Sequence, residues 1–307
     1  MRLLVTGAPG FVGAHLARAA LEAGVEVVAV HRAGSDMARL DALAPEARRV
    51  ECDLFDAAAV AQMARDVAPD ACVHLAWYAK PGAYLHADDN VQWVSASAQL
   101  MLALKDAGCI RFVGAGTCAE YDASAAPLTE RSPLAPTTVY AASKVATQEL
   151  LAGIAKRDSL SFAWARLFLM YGPFESRGRL VSDTAVKLIA GEVAKTSPGT
   201  QVRDFSHVED TARALLALAQ SDLVGPVNVA SGQGVAVREV VAELAQAAGP
   251  DAQIDDTAYA MRADEVMVQN ANISKLRALS LPGVIPRWSL QEGIANTLQY
   301  WRNEAAR

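Results

Sequence analysis

Tyr140 and Lys144 stand four residues apart in Tyr140-Ala141-Ala142-Ser143-Lys144, so on a helix the phenol and the ammonium share one face. A free phenol, with a pKa of about 10, is a poor proton relay at neutrality. A neighbouring cation stabilises the phenolate and brings that pKa down. The phenol then gives a proton to a carbonyl oxygen, or takes one from an alcohol. Thr117, 23 residues upstream, offers a hydroxyl to hold the same oxygen. The Tyr-x-x-x-Lys spacing is common by chance, so its weight rests on the elements around it.

Those elements alternate. Short β-rich runs at 2–6, 25–30, 48–51, 71–75, 110–115 and 161–168, with a seventh at 226–229, are separated by helical patterns at 10–23, 56–67, 88–107 and 139–156. Such alternation predicts a parallel sheet covered on both faces. Cys72-Val73-His74-Leu75-Ala76 has the near-continuous apolar character of a buried parallel strand. Thr117 then lies just beyond the fifth strand, and Tyr140 opens the helix that follows. After Phe168 the rhythm changes, with helices near 180–190 and 208–220. From about 235 the chain reads as mostly helical, with an irregular stretch at 255–272. The expected fold is α/β: a Rossmann-type doubly wound parallel sheet with a smaller, discontinuous, mostly helical C-terminal substrate lobe. The dinucleotide-binding domain spans 1–171 plus about 206–234. The lobe spans about 172–205 plus 235–307, joined through loops around Gly172 and Arg203.

Gly7-Ala8-Pro9-Gly10-Phe11-Val12-Gly13 follows the first strand and opens the first helix. Glycines there permit a tight turn, close approach of backbone to a pyrophosphate, and helix-on-strand packing. The helix start adds unpaired N–H groups and a favourable dipole. With Gly10, Phe11, Val12 and Gly13 in this G-x-x-G-x-x-G spacing, the chain resembles the extended short-chain dehydrogenases/reductases, in particular their nucleotide-sugar-modifying branch. The run Phe112 to Tyr121 is similar to that family's strand end, where the catalytic Ser or Thr precedes a Tyr by four residues. The resemblance thus implies Thr117, Tyr140 and Lys144 as the catalytic set, with Lys144 also bonding the nicotinamide ribose beside Tyr140. It covers most of the chain and is strongest from Met1 to Asp210.

At the end of the second strand an acid would bond the ribose hydroxyls of NAD. His31 and Arg32 stand there instead, and an Arg fork suits a phosphate. NADP(H) is therefore the preferred cofactor, with NAD(H) the alternative. Asp53-Leu54 resembles the family's adenine-contacting pair, although an Asp there is equally placed to cap the next helix. Leu75 and Ala76 carry the fourth strand toward the cofactor. Trp77 and Tyr78 follow, either lining a sugar pocket or packing beneath a lid. His74 reads as a core histidine.

Gln201-Val202-Arg203-Asp204-Phe205-Ser206-His207-Val208-Glu209-Asp210 resembles a late signature of nucleotide-sugar enzymes, in which the Arg reaches the substrate diphosphate. Arg262 looks like a second phosphate clamp; the alternative for both arginines is a salt bridge between lobes. Dehydratases of the family place Asp-Glu directly after the catalytic Thr, where this chain has Cys118 and Ala119. Dehydration is not expected. Cys118 also lies one place short of a cysteine used by 3,5-epimerases, and reads as packing, as Glu120 reads as structural. Leu169 replaces an Asn that commonly touches the diphosphate.

Composition narrows the partners. A net charge of −6, 20% charged residues and no charge blocks give no footprint for nucleic acid or anionic lipid. The hydrophobic fraction is 52% and mean hydropathy +0.15, as in a well-cored protein. No apolar run is long enough for a secretory or membrane segment, and a cytoplasmic location is expected. The four cysteines and five histidines show no metal-ligand spacing. The helices at 88–107 and 139–156 would pair in a homodimer, as in related enzymes. The expected activity is NADPH-dependent reduction of a nucleotide-linked keto-sugar, with a 4-keto-6-deoxy sugar as the expected class. The alternatives are a nucleotide-sugar 4-epimerase with retained NAD, a reductase of a non-nucleotide carbonyl, and a non-catalytic NADP-sensing protein.

Overall fold

The computed structural model describes residues 1–122, 126–261 and 265–306. In chain order it begins β1 (Arg2–Thr6), α1 (Phe11–Glu22), β2 (Glu26–His31), α2 (Ala38–Leu43), β3 (Arg48–Glu51), α3 (Ala57–Val67) and β4 (Ala71–His74). Then come α4 (Asp89–Asp106), β5 (Arg111–Thr117), α5 (Val139–Asp158), β6 (Ser161–Leu167) and β7 (Leu169–Tyr171). The second half holds α6 (Leu180–Ile189), β8 (Ala194–Lys195), β9 (Val202–His207), α7 (Val208–Ala219), β10 (Gly225–Val229), β11 (Gly234–Ala236) and α8 (Val237–Ala248). It closes with β12 (Ile254–Asp255), β13 (Val268–Gln269), α9 (Ser274–Arg277) and α10 (Leu290–Ala305).

Seven strands form one sheet in the order β10-β6-β5-β4-β1-β2-β3. All of its pairings are parallel. This is the doubly wound Rossmann-type sheet that the alternation predicts. Its order reverses between β1 and β4, and the crevice outside the strand carboxyl ends at such a point is where these sheets bind ligands. Apolar strand residues make this possible: Leu3, Leu4, Val5, Val27 and Val73 are essentially buried. One face packs on α1 and α7, through Leu16, Ala20, Leu215 and Leu218. The other packs on α3, α4 and α5, through Met63, Leu100, Leu104 and Leu151.

A separate apolar cluster joins Val181, Phe205, Val240, Leu244, Ile294 and Leu298, from α6, β9, α8 and α10. Here the structure corrects one expectation. Arg203 lies inside β9, not in a joining loop, and β9 pairs with β7, β11 and β13. Val202-Arg203-Asp204-Phe205-Ser206-His207 lacks apolar alternation, and its ladder partners are remote in sequence. Period-2 reasoning therefore had nothing to detect. Among the described residues no helix is long and apolar enough to cross a membrane.

Candidate active site

The glycine turn sits at the carboxyl end of β1. Gly7 has φ +66°, a left-handed conformation that an L side chain rarely adopts. A Cβ on Gly7 would also lie 2.8 Å from the Ala76 backbone nitrogen. Gly10 donates its N–H to the Gly7 carbonyl at 2.9 Å, closing the turn. A Cβ on Gly13 would overlap that same carbonyl oxygen, so α1 is packed onto the turn itself. No side chain caps α1, and its first turn holds no acid. The N–H groups of Phe11, Val12 and Gly13 are thus free for an anion. This cradle fits a dinucleotide pyrophosphate. Gly13→Ala is expected to abolish dinucleotide binding and to destabilise the fold, checked by isothermal titration calorimetry and thermal melting.

The neighbouring strand end is fixed by a chain of hydrogen bonds. The Ser97 hydroxyl donates to the Trp93 carbonyl at 2.7 Å, so His74 Nε2–H donates to Ser97 at 2.9 Å. His74 Nδ1 then accepts the Thr6 hydroxyl at 2.7 Å. Thr6 Oγ1 in turn accepts the N–H groups of Leu75 and Ala76 at 3.2 Å each. Burial holds His74 down at about 3, so it is neutral and structural. Its effect is to set Leu75 and Ala76 against the glycine turn.

At the end of β2, His31 Nδ1 lies 3.2 Å from the Arg32 carbonyl. Arg32 is exposed and has no acidic partner among the described residues. Asp53 accepts the Phe55 N–H at 3.0 Å, and Leu54 is buried. The helix cap is Asp56, which accepts from Ala58 and Ala59, so the capping role considered for Asp53 belongs three residues later.

Thr117, Tyr140 and Lys144 are brought together by β5 and α5. Thr138 caps α5 by accepting the Ala141 N–H, placing Tyr140 in the first turn and Lys144 one turn on. Lys144 is buried and its Nζ donates to the Ala115 carbonyl at 2.8 Å, tying the helix to β5. Burial lowers its pKa to about 7. Burial raises the Tyr140 phenol, and a hydrogen bond with Thr117 works against that rise. The Tyr140 ring packs edge-on against Tyr84 and Trp77, with centroids at 4.9 and 6.5 Å. Tyr84 was not singled out from the sequence, where it is one aromatic in an irregular stretch.

Behind Thr117 lies a buried ion pair that the sequence did not reveal. Glu120 accepts the Thr117 N–H at 2.8 Å, the Trp164 indole N–H at 3.0 Å and Arg166 Nε at 2.7 Å. Arg166 also donates to Gln148 at 2.8 Å and lies over the Tyr121 ring. Every Glu120 contact is structural, as expected for this residue. Burial pushes the Cys118 thiol up to about 12, so it is no acid or base at neutral pH.

The late signature is largely a set of ties. Asp204 accepts the Ser231 N–H and hydroxyl, the Gly232 N–H and the Ala271 N–H. His207 caps α7 and reaches Asn296 on α10 at 3.2 Å. Asp210 accepts the N–H groups of Arg287 and Trp288. Arg203 is paired with Glu265 at 2.5 Å; both residues fall within the expected C-terminal lobe, so this is neither a free fork nor the salt bridge between lobes. Arg262 lies outside the described residues. A cleft of about 300 Å³ is lined by residues that include Tyr171, His207, Gln233, Arg287 and Trp288, and none of Thr117, Tyr140 or Lys144 borders it. Trp77 faces Lys144 and Tyr140, while Tyr78 is half-buried beside it. Leu169, on β7, is exposed.

This geometry has counterparts of related sequence. A UDP-glucose 4-epimerase of Azospirillum brasilense is 28% identical, covering 98% of this chain and 91% of the relative. One from Streptomyces lividans is 30% identical over 81% of each chain. The solved UDP-glucose 4-epimerase of Thermus thermophilus, in complex with NAD, superposes with TM-score 0.84 at 26% identity, covering 98% of this chain and 99% of that one. The NAD dependent epimerase/dehydratase family matches residues 3–230, most of the chain, and this protein is a member of that family.

Proposed function

We propose that this protein is a nucleotide-sugar 4-epimerase that retains NAD. The observation that carries the reading is a catalytic set with a single proton carrier. Tyr140 is flanked by Lys144 and Thr117, while Cys118 and Ala119 stand where dehydratases of the family place two acids. Inversion at one carbon needs no further acid. Bound NAD supplies hydride exchange at that carbon. Tyr140 takes the hydroxyl proton during oxidation and returns it when the carbonyl is reduced from the other face. Thr117 holds the oxygen throughout, and Lys144 stabilises the phenolate. Gly7, Gly10 and Gly13, with the α1 start, hold the pyrophosphate. Leu75 and Ala76, set against the glycine turn, would also contact the dinucleotide, and Asp53 and Leu54 would hold its adenine. Residues 172–205 and 235–307 form the substrate lobe, in which Arg203 exchanges Glu265 for the diphosphate. Relatives named UDP-glucose 4-epimerase support this reading over the keto-sugar reductase favoured by the sequence.

One observation favours the reductase as second reading: His31 and exposed Arg32, with no acid at the β2 end, suit a phosphate on the adenosine ribose. Mass spectrometry of small molecules released on denaturation separates the two. Near-stoichiometric NAD, with interconversion of UDP-glucose and UDP-galactose, is the expected result. Released NADP(H), or an empty site filled by NADPH but not NAD, would replace the epimerase with the reductase.

A further inference from the structure

The indole face of Trp77 lies on the Lys144 ammonium, with Nζ 3.6 Å from the ring centroid. Lys144 is 4% exposed, so this contact is made out of water, where a cation–π interaction is strongest. The ring is held in place. Its Nε1 donates to Asn90 Oδ1 at 2.8 Å. Asn90 is fully buried and spends its amide hydrogens on the Tyr84 and Ala87 carbonyls, at 2.6 and 2.9 Å. Trp93 stacks on Trp77 at 5.9 Å with 25° between planes. Trp77 is thus a clamped wall of the ammonium's pocket.

We propose that Trp77 is a positioning residue, whose face keeps the Lys144 ammonium charged and in place beside Tyr140. The proposal rests on the epimerase reading only in that Lys144 serves Tyr140.

Other groups around the ammonium supply little. From the turn after β5, Glu120 favours the charge, but it is already paired with Arg166 at 2.7 Å. From β4, His74 is neutral. From the same turn as Glu120, Cys118 stays a thiol. From α5 and β6, the Tyr140 and Trp164 rings lie at 5.9 Å each, at the edge of cation–π range and weaker than the Trp77 contact at 3.6 Å. The Ala115 carbonyl accepts one ammonium hydrogen. Burial draws Lys144 to about 7, so its charge at neutrality is in balance. A desolvated cation–π contact shifts that balance by about one pH unit toward the ammonium. The sign follows: stabilising the cation raises the Lys144 pKa, and removing the ring lowers it. Activity requiring the ammonium is lost as pH rises through that pKa.

The chain has seven lysines, so lysine-labelled NMR of the purified protein can follow each ammonium, with Lys144→Met assigning its signal. In the unaltered protein Lys144 is expected to titrate well below an ordinary lysine, because it is buried. Trp77→Leu is expected to lower it by about one unit, and Trp77→Phe, which keeps a π face, to restore most of the loss. The alkaline limb of kcat should move down with it, with KM for the nucleotide sugar unchanged. A Lys144 pKa that rises in Trp77→Leu would overturn the proposal, because it would mean that the ring opposes the ammonium. So would a folded Trp77→Leu with unshifted Lys144, or one whose only change is a higher KM, which would make Trp77 a sugar contact. Failure to epimerise any nucleotide sugar would defeat the functional reading and leave the titration to decide this one.

Discussion

Tyr140→Phe is expected to lower turnover by about 10²–10⁴-fold, the usual contribution of a positioned general acid–base. The change deletes one oxygen and little else. The ring would stay wedged against Tyr84 and Trp77, and α5 would keep its Thr138 cap. Lys144 would still donate to Ala115. Dinucleotide content should therefore match the unaltered protein, because the glycine turn is untouched. Steady-state assay with UDP-glucose, alongside the absorbance of released dinucleotide, reads both quantities. A variant that retains most of its turnover would remove Tyr140 from the chemistry.

Glu120→Ala is expected to destabilise the protein by about 3–5 kcal/mol, the cost of leaving a buried charge without its partner. Arg166 and Glu120 are 2% and 0% exposed, so water cannot compensate. Gln148 and the Tyr121 ring still support the guanidinium, which places the effect toward the lower end. The loss also leaves the Thr117 and Trp164 N–H groups without an acceptor. Thr117 is part of the proposed catalytic set, so kcat is expected to fall with stability. Glu120→Gln keeps one acceptor oxygen for the Thr117 N–H but still leaves Arg166 without its counter-charge, so it should spare kcat more than stability. Chemical denaturation measures the first effect, and assay well below the melting temperature separates the second. Equal stability of Glu120→Ala and the unaltered protein would mean the pair is not the brace described above.

What could be read without a structure shares one property: it depends on near neighbours in the chain. The turn at Gly7, Gly10 and Gly13 is a local conformation, and Tyr140 with Lys144 follows from helical periodicity. The parallel sheet follows from short apolar runs between helical patterns, and the observed strands lie close to those runs. Tertiary structure alone decided what those groups touch. Trp77 meets Asn90 across 13 residues, Glu120 meets Arg166 across 46, and Arg203 meets Glu265 across 62. No period or spacing encodes such pairs. They arise because a reversed strand order and a second small sheet fold distant segments together. Gly116 illustrates the difference. In the sequence it is one more glycine at a strand end. In the fold it leaves room for Glu120 and Trp164, since a Cβ there would lie 2.6 Å from Glu120 Oε1. The residue types of the candidate site were legible because their spacing is local; their electrostatics were not, because charge states depend on burial and on partners that only the folded chain assembles.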